Sequence, residues 1–488
     1  MTPASPQPDG WQLAEVHLFE QLGETVLLNV RSGRSYAVDE PTAAFVRTAL
    51  EAGAVEAAAA EVRRRWGWWR LGHLWHELQR EAVIARTPAE RPIPPPPLLP
   101  PITSLDLNVT HQCNLACRYC YGAYGTLLSR TDGQFRYGSK EGWMSQEVAE
   151  AAFDWLLRES GDAPTVSVIL FGGEPLLNMA LIERIVPLFR QRAKAAGKRL
   201  GLSTATNATL LTDRKLRFLA AHNIGIQFSL DGPPDVQDDQ RCDRWGHGTY
   251  DRVIQAAQRL FALRPGSITA RATLSRKHLQ LRRVVEHLLS LGFGNVHVEP
   301  ATGVDNEYAI TPDCLPDLRQ QYTDMAELFL ERLDQGELFN FSNFVKHIRG
   351  TKAPEAARFH PCGAGRGYLC VDPEGTIYLC HRFTGSDEYA LGNIRDGMDN
   401  RLRQQVAALH VDARPGCRDC WARYFCGGGC WRVNVDATGS LAEPDLQFAC
   451  QIHRHIIELS MAINARLADT EAELLGDQYA QARLPYEH

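Results

Sequence analysis

The sequence predicts an α/β fold organised around a parallel sheet, and two observations carry that reading. From Ser104 to about Glu299, strand candidates at 104–109, 165–171, 199–204, 224–230, 267–273 and 294–299 alternate with helical stretches at about 145–159, 176–195, 212–222, 249–263 and 278–291. Alternating strand–helix units imply parallel strands joined by right-handed crossovers. Six units are too few for a closed eight-stranded barrel, so the sheet is expected to be open. The second observation is a cysteine cluster, Cys113, Cys117 and Cys120, leaving the end of the first strand. Chemistry in parallel barrels sits at the carboxyl ends of the strands.

The elements follow in chain order. Residues 1–85 form a module of their own. Val26-Leu-Leu-Asn-Val30 and Ser35-Tyr-Ala-Val38 read as a hairpin turning at Ser32-Gly33, followed by helical patterns at about 40–52, 54–65 and 69–82. That layout suggests a small winged helix-turn-helix. Residues 86–103 contain RTPAERPIPPPPLLPP, whose prolines favour an extended, semi-rigid spacer. The barrel then occupies 104–310. Within it Tyr121 to Trp143 is a long insertion rich in Gly, Tyr and basic residues, read as a substrate-facing flap. Bridging helices fill 311–359, and 360–488 is a cysteine-rich region ending in a helix.

The 488 residues suffice for several domains and a well-buried core. A net charge of −6 argues against a general nucleic-acid binder. The opening MTPASPQPDG has neither a basic start nor an apolar core, and no run approaches a membrane span. A cytoplasmic location is expected, where the thirteen cysteines read as metal ligands rather than disulfides.

CxxxCxxC spacing can bind three irons of a [4Fe–4S] cube and leave the fourth open. CNLACRYC, with Tyr119 before the last cysteine, resembles the radical S-adenosylmethionine (SAM) enzymes. The resemblance implies a partial (β/α)6 barrel whose open iron chelates SAM and cleaves it to a 5′-deoxyadenosyl radical. Phe171-Gly172-Gly173-Glu174-Pro175 looks like that family's GGEP motif, which binds the SAM amino group. Thr206 and Asn207 are similar to its TTNG segment, with Ala208 where glycine usually stands. Ser229 and Asp231 resemble positions near the SAM ribose and carboxylate. Arg271 is read as a carboxylate partner, its guanidinium offering paired donors, with a surface salt bridge as the alternative, and the resemblance implies that Val298 lies beside the adenine.

Cys362-x12-Gly375-x4-Cys380, CxxCx5Cx3C from Cys417 to Cys430, and Cys450 match the SPASM signature of peptide-modifying radical SAM enzymes gap for gap. Zinc ribbons are the alternative. The resemblance implies two auxiliary [4Fe–4S] clusters: Cys362, Cys380 and Cys430 hold the nearer one, and Cys417, Cys420, Cys426 and Cys450 the farther. The nearer cluster's fourth ligand stays open between Cys370, another side chain and a substrate thiolate. Stretches such as Cys380-His-Arg-Phe383 look like thioether-forming maturases, those of the quinohemoprotein amine dehydrogenase subunit and of the six-cysteines-in-forty-five peptides. The N-terminal layout resembles the PqqD-like leader-recognition domains. Together these imply three [4Fe–4S] clusters, SAM, a ribosomally made peptide substrate with a leader, and an electron donor such as flavodoxin or ferredoxin, with no nucleic acid and no membrane. The implied reaction joins a Cys sulfur to a side-chain or backbone carbon. A carbon–carbon or ether crosslink, or oxidation of a single residue, is the alternative. No catalytic base is evident in the sequence.

Overall fold

A computed structural model describes residues 8, 10–87, 99–122, 142–263, 268–303, 306–352, 357–468, 471, 474, 475 and 477. The expected flap lies, but for its ends, outside the described residues, as does most of the proline spacer. The N-terminal module comprises β1 (Gln12–Leu13), β2 (Val16–Gln21), β3 (Glu24–Asn29), β4 (Arg34–Ala37), α1 (Glu40–Ala52), α2 (Val55–Arg80) and β5 (Ile84–Ala85). β2, β3 and β4 form an antiparallel sheet, and β1 pairs with β5. The expected hairpin is present, but β2 precedes it. Leu22 and Gly23 both adopt positive φ, 54° and 78°, the two-residue hairpin turn whose twist suits flanking strands. Asp39 caps α1 by accepting from the Thr42 N–H. The second and third expected helices are one element, broken at Gly67, where φ is 84° and ψ 171°.

The central region runs β6 (Ser104–Thr110), α3 (Gln146–Glu159), β7 (Thr165–Gly172), α4 (Met179–Ala195), β8 (Arg199–Thr206), α5 (Asp213–Ala221), β9 (Gly225–Ser229), α6 (Pro234–Gln240), α7 (Tyr250–Leu263), β10 (Thr269–Leu274), α8 (Leu281–Ser290) and β11 (Asn295–Pro300). α9 (Leu315–Asp334), β12 (Asn340–Phe341) and α10 (Ser342–Lys352) follow. Beyond them come β13 (Tyr368–Val371), β14 (Thr376–Tyr378), β15 (Ala390–Asn393), β16 (Gly397–Met398), α11 (Arg401–Ala408), α12 (Arg423–Cys426), α13 (Trp431–Thr438) and α14 (Ala449–Asn464).

All six expected barrel strands form and pair in parallel in chain order, within a larger sheet than expected. Its order is β12-β11-β10-β9-β8-β7-β6-β13-β14-β15-β16. β12 adds parallel to β11 and β13 parallel to β6; β14 to β16 continue as antiparallel hairpins. The pairing register divides this sheet into two faces, because successive side chains alternate. Leu105, Leu107, Val109, Val166, Val168, Leu170, Phe228, Ala270, Ala272, Val296 and Val298 share the apolar core with the helices. The opposite, inner face is more polar: Ser104, Asp106 and Asn108 of β6 stand in register with Ser167 and the apolar Ile169 and Phe171 of β7, and Ser229, Arg271 and His297 line up across β9, β10 and β11.

The N-terminal module does not stand apart at the end of a spacer. Phe19, Val26, Leu28 and Val30 from its sheet share a buried cluster with Phe359, Val411, Tyr424, Phe425, Ile457 and Met461 of the cysteine-rich region. His17 stacks on Trp421 with ring centroids 3.9 Å apart, and its Nε2 lies 2.9 Å from Glu458 Oε1. The Arg423 guanidinium, 2% exposed, forks onto both oxygens of Glu15. Alternating apolar residues on both faces of β3 explain this: Leu27 packs on the module's own helices, Val26 and Leu28 on the distant region.

Candidate functional site

The cysteine loop follows β6 directly. Cys113 is buried with Leu115, and Cys117, Cys120 and Tyr121 pack against them. The loop is seated on the end of β7 by two backbone hydrogen bonds, from Gly173 N to the Thr110 carbonyl at 3.0 Å and from Glu174 N to the Gln112 carbonyl at 2.9 Å. A Cβ on Gly172 would collide with the Thr110 carbonyl, one on Gly173 with the Gln112 carbonyl. The two glycines thus serve first to bring two backbone segments together, where the motif by itself suggests the close approach of a ligand. Pro175 opens a short 3₁₀ turn that the Glu174 carboxylate caps.

Glu174 is fully buried. Its Oε1 accepts from Thr206 Oγ1 at 2.8 Å and Leu176 N at 3.0 Å, and its Oε2 from Asn207 N at 2.7 Å. Burial raises its pKa against these donors. Asn207 Nδ2 reaches Asn114 Oδ1 at 3.0 Å and Cys113 Sγ at 3.8 Å. Glu174, Thr206 and Asn207 therefore clamp the cysteine loop. Ala208, at φ 63°, adopts the left-handed conformation that glycine enters at less cost.

Asp231 is equally committed. Its Oδ2 accepts from Tyr119 OH at 2.7 Å and Gln240 Nε2 at 3.1 Å and forms an ion pair with Arg241, whose Nε lies 3.0 Å away, and its Oδ1 accepts from Thr273 N at 2.9 Å. Arg241 also lies 5.4 Å over the Tyr119 ring. Burial pushes the Cys117 thiol up, and the Arg241 charge works against that rise. Asp231 thus ties the loop to β9 and β10, where the sequence suggests a ribose contact. Ser229 and Arg271 do face the inner surface, side by side. Val298 does not: it sits in the helix-side core, and the Asn343 side chain occupies its backbone, accepting from its N–H at 3.1 Å and donating to its carbonyl at 2.7 Å. The inner-face neighbours on β11 are His297 and Glu299 instead, bonded to each other at 2.7 Å.

All thirteen cysteines are free thiols. Those beyond residue 360 gather in two groups. Burial, then the charges of Cys430 and Cys362, drive Cys380 well above the usual thiol range, and Cys362 is pushed up to about 12 by burial and Cys430. Cys417, Cys420, Cys426 and Cys450 neighbour one another. Burial works to raise Cys426, yet His453, whose Nδ1 is 3.4 Å from the sulfur, and the N–H groups of Gly428 and Gly429 bring it to about 7. Gly427, Gly428 and Gly429 all have positive φ, and a Cβ on Gly427 would strike the His360 carbonyl. Among the described residues no three His, Cys, Asp or Glu side chains close on a single metal ion.

Buried donors accompany both groups. Arg414 is fully buried, its Nη2 lacking a hydrogen-bond partner among the described residues, and it faces Cys417, Cys426 and Cys450. Arg454 Nε is likewise unpartnered beside Cys420, and Arg382 Nε beside Cys430 and Cys380. Unpaired buried cations are costly, and an anionic, sulfur-rich cluster would supply the missing acceptors; the donor set fits such a group. Cys370 points to the inner face in register with Asp106. Its Sγ is 3.5 Å from Thr384 Oγ1, and its electrostatic neighbours are Asp106, Cys380 and Asp372. Cys242 and Cys314 stand outside both groups.

One further constellation has no counterpart in the sequence reading. Fully buried Asp106 accepts a hydrogen bond from Tyr368 OH, and its Oδ2 is 2.7 Å from His381 Nδ1; Tyr368 OH lies 2.8 Å from the same nitrogen. His381 packs on Phe171 at 4.5 Å, two residues before Gly173, while Arg382 stacks on Tyr121 at 5.0 Å, one residue past Cys120. Asp106 Oδ1 and Ser104 Oγ are buried without partners among the described residues. A carboxylate, a phenol and an imidazole in mutual contact can hold or pass a proton. Their separation in the chain, 262 and 275 residues, hides them from any local pattern.

Residues 107–277, spanning the cysteine loop and β7 to β10, match the model of the Radical SAM superfamily. By this match that segment resembles the radical SAM enzymes, a family that implies a [4Fe–4S] cluster and SAM. The chain is similar to the cysteine-type anaerobic sulfatase-maturating enzyme of Clostridium perfringens, 24% identical over 377 residues that cover 74% of this chain and 96% of that protein. It is also similar to the mycofactocin maturase MftC of Mycolicibacterium smegmatis, 24% identical over 349 residues, 70% of this chain and 81% of that one. The fold resembles that of native anSMEcpe with bound AdoMet: TM-score 0.63 at 19% identity, covering 75% of this chain and 100% of the other. Among the described residues no helix is long and apolar enough to cross a membrane.

Proposed function

We propose that this enzyme closes thioether crosslinks within a ribosomally made peptide, joining a Cys sulfur to a carbon of an acceptor residue, Asp or Glu among them, as in the quinohemoprotein amine dehydrogenase maturases. Cys113, Cys117 and Cys120 would hold the SAM-binding cluster, Cys362, Cys380 and Cys430 a first auxiliary cluster, and Cys417, Cys420, Cys426 and Cys450 a second. The observation that carries the reading is adjacency. The residues following Cys380 pack on those bordering the cysteine loop, Arg382 on Tyr121 and His381 on Phe171, so a peptide on the inner face would meet both sets. When bound, the reduced cluster and SAM supply a deoxyadenosyl radical as hydrogen-atom acceptor. The chain's own part is positioning: Ser229 and Arg271 would hold the SAM carboxylate, His381, braced by Asp106 and Tyr368, would take the proton released from the peptide sulfur, and Cys362, Cys380 and Cys430 would hold the cluster that takes up the remaining electron. The module of residues 1–85 would retain the leader.

A second reading, oxidation of one side chain, is favoured by the similarity to sulfatase-maturating enzymes. Mass spectrometry of a co-expressed Cys-containing peptide separates them. A thioether removes two hydrogens and blocks alkylation of that Cys without creating a carbonyl. A hydrazine-reactive aldehyde in place of the Cys would refute the crosslinking reading.

A further inference from the structure

The helical side of the N-terminal module carries a surface that neither the large sheet nor the cysteine-rich region covers. Just past the break at Gly67, Trp68 and Trp69 are 51% and 66% exposed. Adjacent exposed indoles are unusual on a folded surface and mark contact sites. The Arg63 guanidinium lies over the Trp68 ring at 4.8 Å, and Arg65 over Trp66 at 4.2 Å. An open groove between α1 and α2, floored by Ala44, Ala57 and Ala60, runs up to Arg65.

The charges around this ridge are unequally committed. Arg47 pairs with Glu20 and Glu40, Arg64 with Glu61, and Arg70 with Asp39. Arg63 and Arg65 have no carboxylate at ion-pair distance among the described residues. A guanidinium lying on an indole keeps its in-plane N–H donors directed outward, the geometry that receives a carboxylate with two parallel hydrogen bonds. Two uncommitted forks beside two bare aromatic rings match an acidic peptide that also carries an apolar side chain. A nucleic-acid backbone instead needs a track of several cations, and the whole chain carries a net charge of −6. β2, one of the sheet's two edge strands, lies by α14, with His17 and Gln21 both bonded to Glu458.

We propose that the ridge from Arg63 to Trp69 docks an acidic segment of the peptide substrate, its carboxylates on Arg63 and Arg65 and an apolar side chain against Trp68 and Trp69. This rests on the peptide-maturase reading and names where that peptide is first held. The test is fluorescence anisotropy on the full-length holoenzyme, with a fluorescein-labelled peptide of Glu, Leu and Phe, its counterpart with Lys for Glu, and a labelled DNA duplex. The acidic peptide binds, more weakly as salt rises, and the Lys peptide and DNA do not. Trp68→Ala/Trp69→Ala and Arg63→Glu/Arg65→Glu each weaken binding by about tenfold or more, while circular dichroism, iron content and peptide-free SAM cleavage match the parent. Unchanged affinity in both variants, or a preference for the Lys peptide or DNA, overturns the proposal. Acidic-peptide binding without modification of any Cys-containing peptide leaves the ridge standing and counts against the maturase reading alone.

Discussion

Arg423 and Glu15 give the most direct measure of how firmly the N-terminal module is built into the enzyme. The two side chains are 408 residues apart, with Nη1–Oε1 at 2.5 Å and Nη2–Oε2 at 2.6 Å. Hydrogen bonds to charged groups contribute ~1.5–3 kcal/mol. Two features reduce that figure here: Glu15 is 33% exposed, and Asp412 stays 3.5 Å from Arg423 Nε when Glu15 is lost. A coupling of about 1–2 kcal/mol follows, above the ~0–1 kcal/mol of a surface pair and below the ~3–5 kcal/mol of a broken, fully buried one. A double-mutant cycle of Glu15→Gln and Arg423→Gln, followed by urea unfolding, reads it directly. Burial works to raise the Glu15 pKa, but the hydrogen bonds and charges of Arg423 and Arg31 override it and leave it lowered. A lowered carboxylate pKa stabilises above the unfolded value and loses that contribution as pH falls through the folded one. The coupling should therefore be full above about pH 5 and fade below about pH 4. A coupling under ~0.3 kcal/mol at neutral pH, within ordinary additivity, would show that the module is only loosely seated.

Four further outcomes are expected. Replacing Cys113, Cys117 and Cys120 together by Ala should remove about four irons per chain and abolish SAM cleavage while the remaining iron persists; iron analysis with a cleavage assay decides. His381→Gln and Asp106→Asn should leave peptide-free SAM cleavage intact and slow peptide modification by about 10²–10⁴, and equal loss of both activities would mark a purely structural network. Gly427→Ala must accept φ 73° and a collision with the His360 carbonyl. It should cost about 2 kcal/mol or more and deplete iron before secondary structure is lost, as iron content and circular dichroism on the same sample would show. If Cys370 is a resident ligand, Cys370→Ala should perturb the substrate-free EPR signal of an auxiliary cluster, whereas an unchanged signal excludes it and leaves another side chain or a peptide thiolate.

Much of the fold was legible because it is local. All six barrel strands and the five expected helices appear within a few residues of their expected places, α6 (Pro234–Gln240) being an addition, since each strand's helix-side residues form a short apolar pattern bounded by turn residues. β2 was missed because Val16–Gln21 mixes His, Glu and Gln among its apolar residues, and the turn that makes it a strand depends on Leu22 accepting positive φ. β12, two residues long, has no pattern of its own and is a strand only because β11 lies beside it.

The same division holds for the site. Cysteine spacing and the GGEP stretch are linear features, so candidate residues for a cluster and SAM could be proposed from the chain alone. What those residues do to one another could not. Glu174 and Asp231 read as ligand contacts, and in the fold their oxygens also meet Thr206, Asn207, Leu176, Tyr119, Gln240, Arg241 and Thr273, which makes both carboxylates ties beneath the cysteine loop as well. Val298 turned away because side chains alternate along a strand, and only register decides which half faces inward. The Asp106, Tyr368 and His381 contact and the Glu15 to Arg423 fork join residues hundreds of positions apart. Sequence alone pointed to the cofactor chemistry, because that expectation depends on residue type and short spacing. Only the tertiary structure decided the Asp106, Tyr368 and His381 contact and the seating of the N-terminal module, because both depend on distances that arise when remote segments pack.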